Sequence, residues 1–357
     1  MAPLAKQWDL DEHFPVDILQ EAASLGFGGI YVKEDYGGSG LGKLESSLVI
    51  EALSTACVST AAYISIHNMV AGLIDHFGTD EQKEEYLPKM CTMEHLSSYC
   101  LTEPSNGSDA GALKTKAHKE GDSYIINGEK AFISGGGVSD IYLVMARTGE
   151  EGPSGISAFI VPKGTSGLLF GKKEHKLGWN SQPTRAVVFQ NVRVPAHNML
   201  GKEGQGFKIA MRGLDGGRIN IGAASVGGAE ACLNSAKEYV TVRKQFGQHL
   251  SEFQNVQFKL ADMATGVHSS RLMIRHAATM LDKSDASGTV SAAMAKRYAT
   301  DTCYNVVNDA LQLFGGYGYL KDFPIERYLR DLRVHQILEG TNEIMRLIVS
   351  RKLLSEV

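Results

Sequence analysis

What most constrains the fold is that the hydrophobic period changes twice along the chain. Through residues 1–97 the apolar residues recur at helical spacing, as in Val16-Asp17-Ile18-Leu19-Gln20-Glu21-Ala22-Ala23-Ser24-Leu25 and again from Leu44 through Val58. Between about Tyr99 and Val194 the period shortens to two. β-rich runs there fall at 124–126, 131–134, 141–145, 156–161 and 186–189, and Asn127-Gly128 carries a hairpin signal. From Gly204 onward it lengthens again, predicting helices over about 219–245, 255–281 and 290–314 and a last one after Thr341. Strands without intervening helices imply an antiparallel sheet or barrel, and long helices with short links imply an antiparallel bundle. Three regions are therefore expected: helical 1–97, β 98–203, and a helical bundle 204–357.

Two further local signals fall in the first region. Thr79-Asp80-Glu81-Gln82 has capping-box spacing and predicts a helix through Tyr86. The run Tyr36-Gly37-Gly38-Ser39-Gly40-Leu41-Gly42 lacks the spacing of a dinucleotide or Walker loop and reads as a turn.

Composition rules out several classes. The net charge is −4 without any long basic run, which offers no electrostatic footprint for nucleic acid. Five scattered cysteines, none spaced C-x-x-C, read as reduced thiols, and the eleven histidines include no H-E-x-x-H, so no metal site is expected. No apolar run is long enough for membrane insertion, and Met-Ala-Pro-Leu-Ala-Lys-Gln-Trp is neither a signal nor a transit peptide.

Three stretches carry chemistry. Tyr99 to Ala112 (YCLTEPSNGSDAGA) gathers hydroxyls and turn formers, suited either to backbone donors for a pyrophosphate-like ligand or to an ordinary inter-domain loop. In Gln312 to Asp322 (QLFGGYGYLKD), continuing to Arg327, Arg330 and Asp331, two glycines suffice for a helix cap. A third glycine with two tyrosines points to close approach of a ligand. In Gln336 to Glu343 (QILEGTNE), Glu339 sits among apolar neighbours whose burial would raise its pKa toward that of a general base, although the same acid also fits a helix entrance. Arg243-Lys244-Gln245-Phe246-Gly247 by itself reads as a helix C-cap.

Together, residues 100–112, 312–331 and 337–346 resemble the acyl-CoA dehydrogenase family, and the likeness runs from about Phe14 to Leu354. At finer grain His13 to Asp17, Ala62 to Met69, Gly178 to Arg185 and Gly216 to Asn220 resemble its short branched-chain members. The resemblance implies an α+β multidomain fold: an N-terminal all-α domain, a middle antiparallel β-barrel domain and a C-terminal four-helix bundle. It implies FAD as cofactor, held by Tyr99, Cys100, Leu101, Thr102, Ser108, Phe132, Ile133 and Ser134. Arg243, Phe253 and Gln254 would meet the rest of it, with Thr341, Asn342 and Glu343, and with Gln312, Leu313, Phe314, Gly315 and Gly316 from a neighbouring subunit of a homotetramer. Ser108, Asp215, Gly216, Gly217, Arg218 and Arg351 match positions that touch an acyl-CoA thioester. Some relatives carry the catalytic base at the position of Gly217, which has no side chain here, so Glu339 is the expected base.

The implied reaction is α,β-dehydrogenation of a short branched-chain acyl-CoA, isobutyryl-CoA to methacryloyl-CoA in valine catabolism, with electrons passing to electron-transfer flavoprotein. Butyryl-CoA or 2-methylbutyryl-CoA as substrate, an oxygen-using oxidase, and a non-catalytic scaffold of the same fold are the alternatives. Kinship also leads one to expect a mitochondrial matrix location and one more helix ahead of Met1. Ser105 departs from the glycine usual in relatives.

Overall fold

The computed structural model describes residues 1–355. Five helices open the chain: α1 (Ala5–Asp11), α2 (Val16–Ser24), α3 (Lys43–Ser54), α4 (Val58–Phe77) and α5 (Asp80–Cys91). The expected capping box starts α5: Thr79 Oγ1 accepts from the Gln82 amide, and Gln82 Oε1 from the Thr79 amide. The helix runs past Tyr86 and carries Pro88 inside it. The glycine run 36–42 is a turn, with the Ser39, Gly40 and Leu41 amides donating to the carbonyls of Gly29, Val32 and Ile30.

The β region follows, with β1 (Ser97–Cys100), β2 (Lys116–Glu120), β3 (Ser123–Ser134), β4 (Ile141–Arg147), β5 (Ile156–Pro162), β6 (Leu168–Phe170), β7 (Thr184–Pro195) and β8 (Met199–Leu200). The sheet runs β6-β7-β3-β2-β4-β5-β8, with β1 beside β4. Pairing is antiparallel except for β1 on β4 and a single β2–β4 pair, which are parallel. Alternation along β4 and β5 decides two cores at once. Ile141, Leu143, Met145, Ile156, Ala158 and Ile160 pack against α4, α5 and the start of α6. Tyr142, Val144, Ala146, Phe159 and Val161 pack with β3 and β7 on the sheet's other face.

Asn127-Gly128 does not make the expected hairpin. The hairpin turn lies at Gly121-Asp122, between the paired Glu120 and Ser123, and Asn127-Gly128 is a bulge inside β3. A Cβ at Gly128, φ +150°, would stand 2.5 Å from Thr115 Oγ1. Glycine there permits a close strand crossing, not a chain reversal.

The C-terminal helices are α6 (Gly206–Val242), α7 (Gln254–Asp282), α8 (Gly288–Phe314), α9 (Ile325–Arg333) and α10 (Asn342–Leu354). Between α6 and α7 the short strands β9 (Lys244–Gln245) and β10 (Gln248–His249) form a hairpin whose tip residue Phe246 is 95% exposed. α6 begins well before the expected 219, because Gly213, Gly216 and Gly217 dilute its apolar period. α9 has no counterpart among the expected helices. The N- and C-terminal helices share one core: Leu19, Ile50, Val58 and Ala62 pack with Ile219, Ala224, Ala295 and Leu332. A wide cavity lies where that core meets the sheet. Among the described residues no helix is long and apolar enough to cross a membrane.

Candidate active site

A cavity of about 1190 Å³ opens between the loop after β1, the end of β3, one face of α6 and the segment before α10. That is more than one drug-sized ligand needs. The loop forming its floor is pinned from beneath. Lys130 Nζ, fully buried, donates to Glu103 Oε1 at 2.8 Å and to the Leu101 carbonyl at 3.1 Å. The Glu103 carboxylate also accepts from the Lys114 and Thr115 amides. Burial pushes the Glu103 carboxyl up, but Lys130 and these donors outweigh it, and the group stays ionised below its ordinary value.

Above this floor β3 bulges between Lys130 and Ile133, and Phe132 takes φ +60°. The bulge turns the ring out of the sheet into the cavity, 73% exposed. Thr102, Ser108 and Ser134 line the same space.

Glu339 reaches the cavity from the far side on two consecutive left-handed residues, Glu339 at φ +57° and Gly340 at φ +90°. Its carboxylate lies over α6 where Gly217 leaves room; a Cβ there would stand 2.5 Å from Glu339 Oε2. That oxygen is buried without a hydrogen-bond partner. Burial raises the carboxyl from 4.5 to about 7, opposed by Arg218 and Lys296. A carboxylate poised there can take a proton and return it.

The remaining expected residues fall into separate places. Tyr99, Leu101, Arg218 and Arg351 line the main cavity, and the Tyr99 hydroxyl is buried and unpartnered. Cys100 and Ile133 both belong to the buried cluster inside the sheet; Ile133 also lines the cavity, and Cys100 does not. Asp215 is ion-paired to Arg218 at 2.6 Å, and with Gly216 and Gly217 it borders a smaller neighbouring cavity of about 280 Å³. Thr341 caps α10 through the Ile344 amide; Glu343 is exposed near Arg346; Asn342 is buried, its amide spent on Thr300, Asp301 and Lys296. None of these three lines the main cavity. Arg243, Leu313, Phe314, Gly315 and Gly316 border a third cavity of about 420 Å³. Gln312 is exposed on the adjoining turn, and Phe253 and Gln254 lie where the hairpin meets α7, Phe253 edge-on to Phe246.

Sequence reasoning missed three residues. Trp179, φ +54°, walls the cavity; its amide donates to Asp331 Oδ1 at 2.6 Å and its indole to His335 Nε2 at 3.2 Å. His335 Nδ1 sits 2.7 Å from Ser225 Oγ, which donates to the Ile221 carbonyl, so the ring is neutral with its proton on Nδ1. Lys296 lies in the middle of α8, where nothing local marks it.

A helix–sheet–helix frame with a buried carboxylate set across a wide cavity from a sheet loop defines a recognisable class. The chain matches the acyl-CoA dehydrogenase N-terminal domain over residues 1–94, the middle domain over 98–192 and the C-terminal domain over 204–354. It belongs to the acyl-CoA dehydrogenase family. Among its relatives, the mitochondrial isobutyryl-CoA dehydrogenase of Dictyostelium discoideum is 65% identical over 354 residues, covering 99% of this chain and 85% of that protein. The Bos taurus protein of the same name is 57% identical, covering 100% and 86%. The structure of butyryl-CoA dehydrogenase from Megasphaera elsdenii superposes with TM-score 0.96 at 42% identity, covering 99% of this chain and 94% of that one.

Proposed function

We propose that this oxidoreductase is an FAD-dependent dehydrogenase of short branched-chain acyl-CoA thioesters, with isobutyryl-CoA, converted to methacryloyl-CoA in valine catabolism, as its substrate. The observation that carries the reading is the Glu339 carboxylate, raised to about 7 and facing the cavity over Gly217. The two relatives named for isobutyryl-CoA support the choice of substrate.

The cavity's residues fit a flavin. A left-handed, exposed Phe132 and the unpartnered Tyr99 hydroxyl flank a cavity of about 1190 Å³. Thr102 and Ser134 would make the polar contacts to its ring system, with the pinned 99–108 backbone beside them. Bound FAD supplies the electron sink, accepting the β-hydrogen with its bonding electrons. Glu339 removes the α-proton; Arg218 and Lys296 hold the turn that aims it. Trp179, fixed by Asp331 and His335, closes one wall against water. Ser108, Arg218 and Arg351, which line the cavity, would touch the acyl-CoA.

Arg243 and residues 313–316 gather around the third cavity, apart from Thr102 and Ser134. This fits a surface that meets the FAD of a neighbouring subunit, and hence a homotetramer. Electrons would leave to electron-transfer flavoprotein, and the site of action would be the mitochondrial matrix. Purified protein should be yellow and bleach anaerobically with isobutyryl-CoA. A protein that stays colourless after FAD reconstitution refutes the reading. Comparing kcat/KM for isobutyryl-, 2-methylbutyryl- and butyryl-CoA tests the substrate, and electron-transfer flavoprotein reduction against peroxide release tests the acceptor.

A further inference from the structure

A left-handed non-glycine residue such as Glu339 stores strain unless its surroundings hold it, whereas Gly340 takes its positive φ freely. Here two buried cations from different helices hold the two carbonyls. Arg218 Nε, from α6, donates to the Glu339 carbonyl at 3.2 Å. Lys296 Nζ, from α8, donates to the Gly340 carbonyl at 2.8 Å and to Asn342 Oδ1 at 3.0 Å. Asn342 is tied back to α8 through Thr300 and Asp301, so clamp and turn form one unit.

Lys296 is fully buried. An apolar residue of its size would avoid the cost of desolvating an ammonium, so stability alone is a poor reason for it. The charged and titratable groups facing Glu339 are Arg218 on α6, Lys296 on α8 and the Tyr99 phenol on β1. Those facing Lys296 are Glu339, Arg218, Asp301, Glu343 and His335, the last held neutral by burial and by Lys296 itself. Arg218 is already paired with Asp215. Lys296 has no such carboxylate partner within ion-pair distance among the described residues; burial lowers its ammonium from 10.5 to about 7, opposed first by the charge of Glu339, so below that pH its charge is available to the base.

We propose that Lys296 is a positioning residue of the dehydrogenation, which clamps the left-handed turn carrying Glu339 and places a positive charge beside its carboxylate. The inference rests on Glu339 being the base. Lys296→Gln keeps a donor for the Gly340 carbonyl and removes the charge; Lys296→Met removes both; Lys296→Arg keeps the charge.

The experiment compares the four proteins as holoenzymes. Bound flavin content is measured, then kcat/KM for isobutyryl-CoA against pH, and the carboxyl titration of Glu339 by infrared difference against Glu339→Gln without substrate. With the neighbouring cation gone, the acid limb and the infrared titration should both rise by about one pH unit in Lys296→Gln and Lys296→Met. Flavin content should match the parent, and Lys296→Arg should return the limb toward the parental position. Lys296→Met, which also loosens the turn, should lose up to about 10²-fold more in kcat than Lys296→Gln. Parental limbs and titrations in both neutral variants overturn the proposal. Should Lys296→Met fail to fold, Lys296→Gln carries the same test. If the parent does not oxidise isobutyryl-CoA yet Lys296→Gln still shifts the infrared titration, the proposed reaction fails and the role of Lys296 stands.

Discussion

Replacing Glu339 by Gln should abolish turnover and, at neutral pH, make the protein more stable. Glutamine mimics the protonated carboxyl, which is the form the buried site favours. The carboxyl titrates near 7 in the folded protein against an ordinary 4.5. Because the folded state binds the proton more tightly, stability is fully present below pH 4.5 and is lost as pH rises through 7. A rise of about 2.5 pH units corresponds to about 3 kcal/mol at most, since each unit is worth 1.36 kcal/mol. Glu339 keeps some contact with solvent in the cavity, and screening there reduces this to about 1–3 kcal/mol. The gain of Glu339→Gln over the parent should therefore be well under 1 kcal/mol at pH 5 and reach its full size at pH 8. In thermal melts of the two holoenzymes that is a difference of about 1–4 °C opening between pH 5 and pH 8. Turnover should fall at least about 10²-fold, with flavin still bound. A melting difference that stays flat across this range, or turnover at the parental rate, would refute the argument that burial sets the charge of the base.

Other outcomes follow from the same geometry. Moving the base to α6 by Gly217→Glu needs the double variant with Glu339→Gly, because the side chain at 339 fills the space over Gly217. The double variant should recover measurable isobutyryl-CoA turnover, whereas Gly217→Glu combined with Glu339→Gln should fold poorly. Lys130→Met strands a buried Glu103 charge and should cost about 3–5 kcal/mol in denaturant titration while weakening flavin retention. Phe132→Gly relieves a left-handed non-glycine residue, so the flavin-free protein should melt no lower than the parent, yet flavin should dissociate faster. Thr79→Ala removes the α5 cap and should cost about 1 kcal/mol with parental kcat.

The broad architecture was legible in the sequence because period two and period 3.6 are properties of local backbone geometry. The runs expected at 141–145 and 156–161 are β4 and β5, whose alternate residues feed two different cores. Where a glycine carried the signal, the reading failed in two ways. Gly128 resembled half of a hairpin turn but serves a close crossing over Thr115, and the glycines of α6 hid more than three turns of helix. In both cases the partner that explains the glycine lies on another element. α9 (IERYLRDLR) carries Ile325, Tyr328, Leu329 and Leu332 at helical spacing, but this short period directly follows the glycine-tyrosine run and reads as part of it.

The candidate site divides along the same line. Its motifs marked Glu339, Thr102, Ser108, Ser134 and Phe132, and the structure brings all five to one cavity. Asn342 was marked as well, but its amide is consumed by α8. Trp179 fell within the resembling stretch 178–185 without a role, and Lys296 left no local trace, since a lysine in a helix is ordinary until its surroundings are known.

The sequence by itself determined the order of helices, sheet and helices, because that order is written in neighbouring positions, while Glu339 was marked as the expected base by the family resemblance. Only the tertiary structure decided that the Glu339 carboxyl is pushed up to about 7. Its charge state depends on burial, on Arg218 reaching its carbonyl from 121 residues away, and on Lys296 holding the next carbonyl from 44 residues away. Electrostatic interaction depends on distance in space, which folding sets and spacing along the chain does not.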